Sequence, residues 1–199
     1  MSTTHTFQFI LASASPRRKE LLAKAGYQFA IEPSGVDEEA FSTDGINSEE
    51  HCKLLAQAKA QEVAKRFPDK FILGSDTVVD LDGEIIGKPE DADHAEEITR
   101  KLFSKPHKVI TGIALVCLAR NIEIVEAIMT IVYPKRLTER QISEHIAGGL
   151  WEGKAGAYGI QETGDEFVDH IKGSFTNVMG LPMERVAEIL EQHRVKPLF

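Results

Sequence analysis

Cysteine is scarce: Cys52 and Cys117 are the only two in 199 residues. They form no CxxC pair and no disulfide framework, so both are expected as reduced thiols of a cytosolic protein, with no nucleophilic role assigned to either. Long apolar runs are missing as well. The longest, residues 113–119, falls far short of the ~20 residues a membrane span needs. The polar start, residues 1–7, lacks the basic and apolar regions of a secretory signal. Cations are in deficit, with 23 Lys and Arg against 31 Asp and Glu, a net charge of −8. Such a chain repels long nucleic acid, whereas a small phosphorylated molecule needs only a few local cations. HExxH, the Walker A loop and GxSxG are all absent. The seven histidines are scattered without ligand spacing, and His107 reads as a satisfied structural residue. No repeat, low-complexity segment or linker interrupts the chain. What remains is a cytoplasmic, soluble chain read as one domain over 1–199, with a composition able to bury a core.

Residues 7–11 read as a short buried strand, followed by a turn of small residues. Pro16 stands where a helix begins, Ser15 is placed to cap it and Gly26 to stop it. Strand, small-residue turn and helix together make the geometry of a phosphate site. A second short strand is expected over 27–31 and an acidic loop over 37–47. A long helix then runs from Ser48 to about Phe67, with an apolar stripe of Leu54, Leu55, Ala58 and Val63. Residues 71–81 read as an apolar strand interrupted by Gly74-Ser75-Asp76-Thr77, and Asp82-Gly83 turns it back through Ile85 and Ile86. A helix follows over 91–103. Two β-rich runs, 109–118 and 122–132, make a long hairpin around Ala119-Arg120-Asn121. Thr138 and Gln141 form a capping box for a helix reaching 146. Residues 148–164 are glycine-rich and read as a functional loop, and 183–193 is the closing helix. The pattern is mixed α/β with a substantial antiparallel component.

Five segments can carry chemistry. Ser13-Ala14-Ser15-Pro16-Arg17-Arg18 puts two hydroxyls, a helix N-terminus and two guanidiniums within six residues, all able to bond phosphate oxygens. A capped helix with a solvated basic first turn is the plainer reading, but cations there oppose the helix dipole unless an anion sits nearby. Asp76 lies in an apolar run, where an unpaired carboxylate is costly. It reads as a Mg²⁺ ligand or a water-orienting base, or else as a strand-end Asp capping a bulge. Lys88, in Gly87-Lys88-Pro89, can neutralise a leaving pyrophosphate as a point charge or be a solvated turn lysine. In 153–161 the glycines permit close backbone approach, and Gln161 carries the donors and acceptor to read a base edge; a flexible surface loop is the alternative. Asp37-Glu38-Glu39 is a solvated acidic loop or the source of a second metal carboxylate.

Taken in order, these segments resemble the Maf family of nucleotide pyrophosphatases. The resemblance runs from about Phe9 to Leu190 through Leu11-Ala12-Ser13-Ala14-Ser15-Pro16-Arg17-Arg18, Gly74-Ser75-Asp76-Thr77, Gly87-Lys88-Pro89 and His107-Lys108-Val109-Ile110-Thr111-Gly112. It continues with Lys154-Ala155-Gly156-Ala157-Tyr158-Gly159-Ile160-Gln161 and Asn177-Val178-Met179-Gly180-Leu181-Pro182. One such motif is weak evidence; six in this order are strong. The resemblance implies an elongated two-lobed mixed α/β sheet with flanking helices and a central cleft, as in inosine-triphosphate-pyrophosphatase-like folds. It implies phosphate binding by Ser13, Ser15, Arg17 and Arg18, catalysis by Asp76 assisted by Lys88, and a metal-site or catalytic contribution from Glu38. Lys59 falls on a family position near the substrate, against the plain reading of a solvent-facing helix lysine. Ser104-Lys105-Pro106 departs from the family's usual Ser-Gly before the His, which touches only local turn geometry.

The family divides by substrate, and Arg17, Thr77 and Gln161 match the branch acting on dTTP and UTP. The branch acting on 7-methyl-GTP carries Trp at the first of these positions. The implied reaction is hydrolysis of the triphosphate to a monophosphate and pyrophosphate, a house-cleaning step against non-canonical nucleotides. Asp76 and Glu38 would hold a divalent cation (Mg²⁺, Mn²⁺ or Co²⁺), and Asp76 would direct water at the α-phosphorus. A nucleoside triphosphate is thus the expected partner, with no long nucleic acid, no membrane, and a homodimer consistent with the family. The competing readings are a non-catalytic nucleotide sensor linked to septum control, a phosphatase releasing orthophosphate, and a 7-methyl-GTP pyrophosphatase.

Overall fold

The computed structural model describes residues 7–43 and 45–198, the side chains of 162–165 excepted. The polar stretch before Phe7 therefore lies outside the described residues, as do Asp44 of the acidic loop and the side chains closing the 148–164 segment. Strand β1 (Phe9–Leu11) leads into helix α1 (Pro16–Lys24). The Ser15 hydroxyl caps α1 by accepting from the Arg18 amide, Pro16 takes the first turn, and Gly26 at φ 81° closes it. After β2 (Phe29–Ile31), a single 3₁₀ turn at Glu38–Ala40, capped by Asp37, orders part of the acidic loop. Helix α2 (Ser48–Arg66) opens on a reciprocal capping box between Asn47 and Glu50. Strands β3 (Ile72–Leu81) and β4 (Glu84–Ile86) join through Asp82-Gly83, both at positive φ, as a tight hairpin requires.

Helix α3 (Ala92–Leu102) precedes the hairpin of β5 (His107–Cys117) and β6 (Ile122–Pro134), which turns through Asn121 in the left-handed region. Helix α4 (Glu139–Ala147) has the expected Thr138–Gln141 box. The chain ends with α5 (Ile160–Phe167), β7 (Val168–Lys172), α6 (Phe175–Val178) and α7 (Met183–Gln192).

The strands form one mixed sheet in the order β2-β1-β3-β5-β6-β7, with β4 on β3. β1 runs parallel to β2 and β3, and the other pairings are antiparallel. One edge of β3 is shared between two short partners. β1 pairs with Ile72 and Leu73, and β4 pairs with Val79, Asp80 and Leu81. Residues 74–78 between them face a gap in the sheet, and the cleft lies there.

Alternation along β3 sorts its side chains between two cores. Ile72 packs with Ala56, Ala60 and Val63 of α2, while Leu73 and Val79 pack in the larger core with α1, α3 and α7. Helix α2 approaches its face so closely that side chains are excluded at two strand positions. A Cβ on Gly74 would sit 2.3 Å from the Ala56 carbonyl oxygen, and one on Gly112 of β5 would sit 2.1 Å from that of Cys52.

Several expectations need correction. Gly74-Ser75-Asp76-Thr77 does not interrupt β3, because the antiparallel ladder to β5 continues through it. Leu54 is 44% exposed, rotated about one hundred degrees from buried Leu55, so it leaves the apolar stripe, and Ala58 is only half-buried. The glycine-rich segment is ordered, with a 3₁₀ turn at Ala155–Ala157 and α5 starting at Ile160. β7 and α6 were not expected; one is a short edge strand of mostly exposed residues, the other a single helical turn. Among the described residues no helix is long and apolar enough to cross a membrane.

Two predictions follow from this packing. Gly112→Ala should destabilise the protein by about 3 kcal/mol in urea unfolding, because the clash is with backbone. Gly35→Ala, which meets no atom within 4 Å, should stay within about 0.5 kcal/mol of wild type. The second concerns His107, 2% exposed, which bonds the Leu102 carbonyl through Nδ1 and accepts from the Tyr158 hydroxyl at Nε2 (2.9 Å). Burial lowers its pKa from 6.5 to about 4, against the raising effect of backbone hydrogen bonds. The neutral ring is the folded form, so this stabilisation is complete above pH 6.5 and is lost as pH falls towards 4. The gap amounts to about 3 kcal/mol. Stability measured across that window should fall in wild type and flatten in His107→Gln.

Candidate active site

A cleft of about 1040 Å³ opens at the gap in the β3 edge. The turn from β1 into α1 forms one wall, α2 and the Glu38 turn a second, β4 with Lys88 a third, and the segment 152–161 a fourth. All of the residues expected at the site from the sequence line it: Ser13, Ser15, Arg17, Arg18, Glu38, Lys59, Asp76, Thr77, Lys88 and Gln161.

The centre is an ion cluster. Lys59 Nζ stands 2.7 Å from Asp76 Oδ1 and 2.8 Å from Glu38 Oε1. Lys59 and Asp76 are buried, Glu38 half-exposed. The solvent-facing reading of Lys59 is therefore overturned, because the close approach of α2 turns that side chain into the cleft. Nor does Asp76 end a strand or cap a bulge. Partial burial raises the pKa of Glu38, but the hydrogen bond and charge of Lys59, with the charges of Lys88 and Arg18, outweigh it and hold the carboxyl below its ordinary value. Lys88 is exposed at the rim, and its charge reaches Glu38. Cys52 lies close by, and burial, reinforced by the charge of Asp76, pushes its thiol up to about 12. That leaves a neutral thiol, in keeping with its lack of a nucleophilic role.

Arg18 is positioned differently from the sequence expectation. Its Nε donates to the Gly180 carbonyl (2.8 Å), Nη1 to the Ser75 carbonyl (2.9 Å) and the Ser13 hydroxyl (3.1 Å), and Nη2 to the Thr77 hydroxyl (3.1 Å). A guanidinium has five N–H donors, so at most one remains for a ligand, besides the charge. Burial lowers its pKa, while Asp76 and Glu38 raise it and Arg17 lowers it further. Ser13 Oγ accepts from both Arg18 and the Ser15 amide, which leaves its own O–H to be donated elsewhere. Gly180 belongs to the motif over 177–182, and the sequence assigns it no individual role. Its carbonyl also takes a bond from Ser75 Oγ, and its φ of 105° is what aims it there.

The two faces of the sheet carry different groups. Asp76, Lys59 and Glu38 meet on the α2 face. Thr77 points the other way, bonding Arg18 and Thr111, and Tyr158 and Ile160 pack in the core of that opposite face. Gln161 is exposed where α5 begins, at the cleft rim. Its segment is pinned from behind. Gly156 N donates to the Gly87 carbonyl, His145 Nε2 to that of Ala157, which is itself at φ 59°, and the Tyr158 hydroxyl to His107.

Among the described residues no three His, Cys, Asp or Glu side chains gather as a metal cage. Asp76 and Glu38 do fit an ion of the Mg²⁺ type. Each uses one oxygen on Lys59, and such an ion takes one or two carboxylates and completes its shell with water and phosphate oxygens.

Fold and site thus define a mixed α/β protein whose cleft sets paired carboxylates and cations at a break in the sheet edge. Residues 8–193 match the family model described as Maf-like protein, and the chain belongs to the Maf family. Relatives named dTTP/UTP pyrophosphatase include one from Citrifermentans bemidjiense, 45% identical over 91% of this chain and 93% of its own length. Another, from Rhodopirellula baltica, is 41% identical over 92% of this chain and 80% of its own length. The solved structure of the Staphylococcus aureus Ham1 protein overlaps 64% of this chain and 71% of that one, at 13% identity and a TM-score of 0.41. At that level it carries nothing about the site.

The ion cluster makes a prediction of its own. Lys59→Met leaves buried Asp76 without its cation and should cost about 3 kcal/mol of stability. The double variant with Asp76→Asn should lose less than the two single losses together in a denaturation double-mutant cycle.

Proposed function

We propose that this chain hydrolyses dTTP and UTP to the monophosphate and pyrophosphate. The observation that carries the reading is the Lys59–Asp76–Glu38 cluster, set in one cleft with the Ser13 hydroxyl. The names of relatives 41–45% identical over nearly the whole chain support the same activity.

In this mechanism Ser13, Ser15 and the α1 N-terminus receive phosphate oxygens, with Arg18 supplying positive charge. Lys59 holds the Asp76 and Glu38 carboxylates in place, and its hydrogen bond and charge favour the ionised form of Glu38. Asp76 takes a proton from water as the water oxygen bonds to the α-phosphorus. The bond from that phosphorus to the bridging oxygen breaks, and Lys88 faces the charge that gathers on the departing pyrophosphate. A divalent cation held by Asp76 and Glu38 would neutralise phosphate oxygens further. Arg17, Thr77 and Gln161 sense the base. The same family reading extends to a homodimer, which light scattering decides.

Pyrophosphate release from a panel of dTTP, UTP, CTP, ATP, GTP, 7-methyl-GTP and modified pyrimidine nucleotides, with Mg²⁺ or Mn²⁺, tests this reading. Release is expected chiefly from dTTP and UTP. Asp76→Asn should lower kcat at least ~10²-fold while the protein stays folded. Gln161→Ala should change the substrate profile more than the rate. Preference for 7-methyl-GTP would remove the roles of Arg17, Thr77 and Gln161. Saturable binding without pyrophosphate would favour the nucleotide sensor, and orthophosphate a different hydrolase.

A further inference from the structure

His51 is a buried cleft residue that the mechanism leaves without a task. It follows Ser48 in the first turn of α2 and lines the cleft while only 7% exposed. Its Nδ1 is shut off from solvent and has no hydrogen-bond partner, and neither ring nitrogen bonds any of the described residues. A buried imidazole with no partner is uncommon, since buried polar groups are normally satisfied and each exception calls for a reason. Nδ1 is closed off, so contact with a ligand runs through Nε2.

Its position says which part of a ligand. His51, Leu55 and Lys59 recur every four residues and form one stripe of α2 turned into the cleft. From Lys59 to His51 the stripe runs about 12 Å along the helix axis. It leads away from the Asp76 cluster towards the hairpin of β3 and β4, where Ser48 Oγ bonds Asp80. This is the sheet face that carries Asp76, Glu38 and the charge of Lys88. Thr77, Tyr158 and Ile160, beside the proposed base reader Gln161, belong to the opposite face. A nucleotide entering through the gap with its base on that far side extends its terminal phosphates along α2.

We infer that His51 is a substrate-binding residue whose Nε2–H donates to the terminal phosphate of the triphosphate, and so to the pyrophosphate product. The inference rests on the pyrophosphatase reading and adds to it a basis for preferring triphosphates to diphosphates.

The test is calorimetric titration of inorganic pyrophosphate, and separately of dTMP, in Mg²⁺ buffer. The proteins are wild type, His51→Leu and His51→Gln, each checked by thermal unfolding; His51→Phe replaces the Leu variant if that one does not fold. His51→Leu should bind pyrophosphate roughly tenfold more weakly, with dTMP affinity unchanged within about twofold. His51→Gln restores an N–H and should recover part of the loss. The dTTP-over-dTDP ratio of kcat/KM should fall with pyrophosphate affinity. Unchanged pyrophosphate binding in His51→Leu overturns the inference, and so does a loss confined to dTMP, which would place His51 at the nucleoside. A wild type that releases no pyrophosphate from dTTP removes the underlying reading instead. A wild type that does release it, with the variants binding pyrophosphate equally, removes only the role of His51.

Discussion

The backbone of α2 rests directly on two glycines of the sheet, and the charged side chains on that face of the cleft take their positions from this contact. With any side chain at Gly74 or Gly112 the helix would have to lift, since a Cβ there falls within 2.3 Å of helix carbonyl oxygens. At the observed distance the Lys59 stem descends beside the apolar stripe, and its ammonium reaches Asp76 in the middle of a buried strand. The arrangement is a poor way to gain stability. Buried ion pairs roughly break even against apolar residues of similar size, because desolvation offsets the attraction. Its value lies in the fixed positions of two carboxylates beside a cavity, which is a chemical requirement rather than a folding one.

Much of the architecture could be read from local pattern. The caps at Ser15, Gly26 and Thr138 and the Asp82-Gly83 turn are decided by a few neighbouring residues, and they lie where their chemistry puts them. Elements defined by tertiary contact were not legible. β7 carries Asp169, His170 and Lys172 on an edge strand, with no apolar alternation to announce it. The 148–164 segment looked like a loop because its glycines at positive φ mask a chain fixed by hydrogen bonds from distant elements. The same division holds at the site. Every candidate residue lines the cleft, but the sequence carried no sign that Arg18 faces protein acceptors or that Lys59 is buried. Both facts depend on partners up to 162 positions away.

Arg18 also alters the electrostatic picture of the first motif. Two adjacent arginines in a helix's first turn suggest two hands on an anion. Only Arg17 keeps that freedom. Arg18 ties the α1 turn to β3 and to the Gly180 carbonyl, joining three separate segments of the chain at the cleft through one planar group. Lysine, a point charge without the fork, could not make these bonds together.

The gap beside residues 74–78 has a consequence for solubility. A strand edge with unpaired amides and carbonyls ordinarily invites pairing with another molecule, and proteins blunt such edges with charge, proline or a covering element. Here β1 and β4 occupy the same edge on either side, so the vacancy is only five residues long and closed at both ends. A foreign strand cannot lie down in so short a slot, whereas a small molecule can enter it. The fold thereby keeps a break in its central strand pairing, lined by buried residues and capped by Arg18 at the Ser75 carbonyl, without offering a template for aggregation.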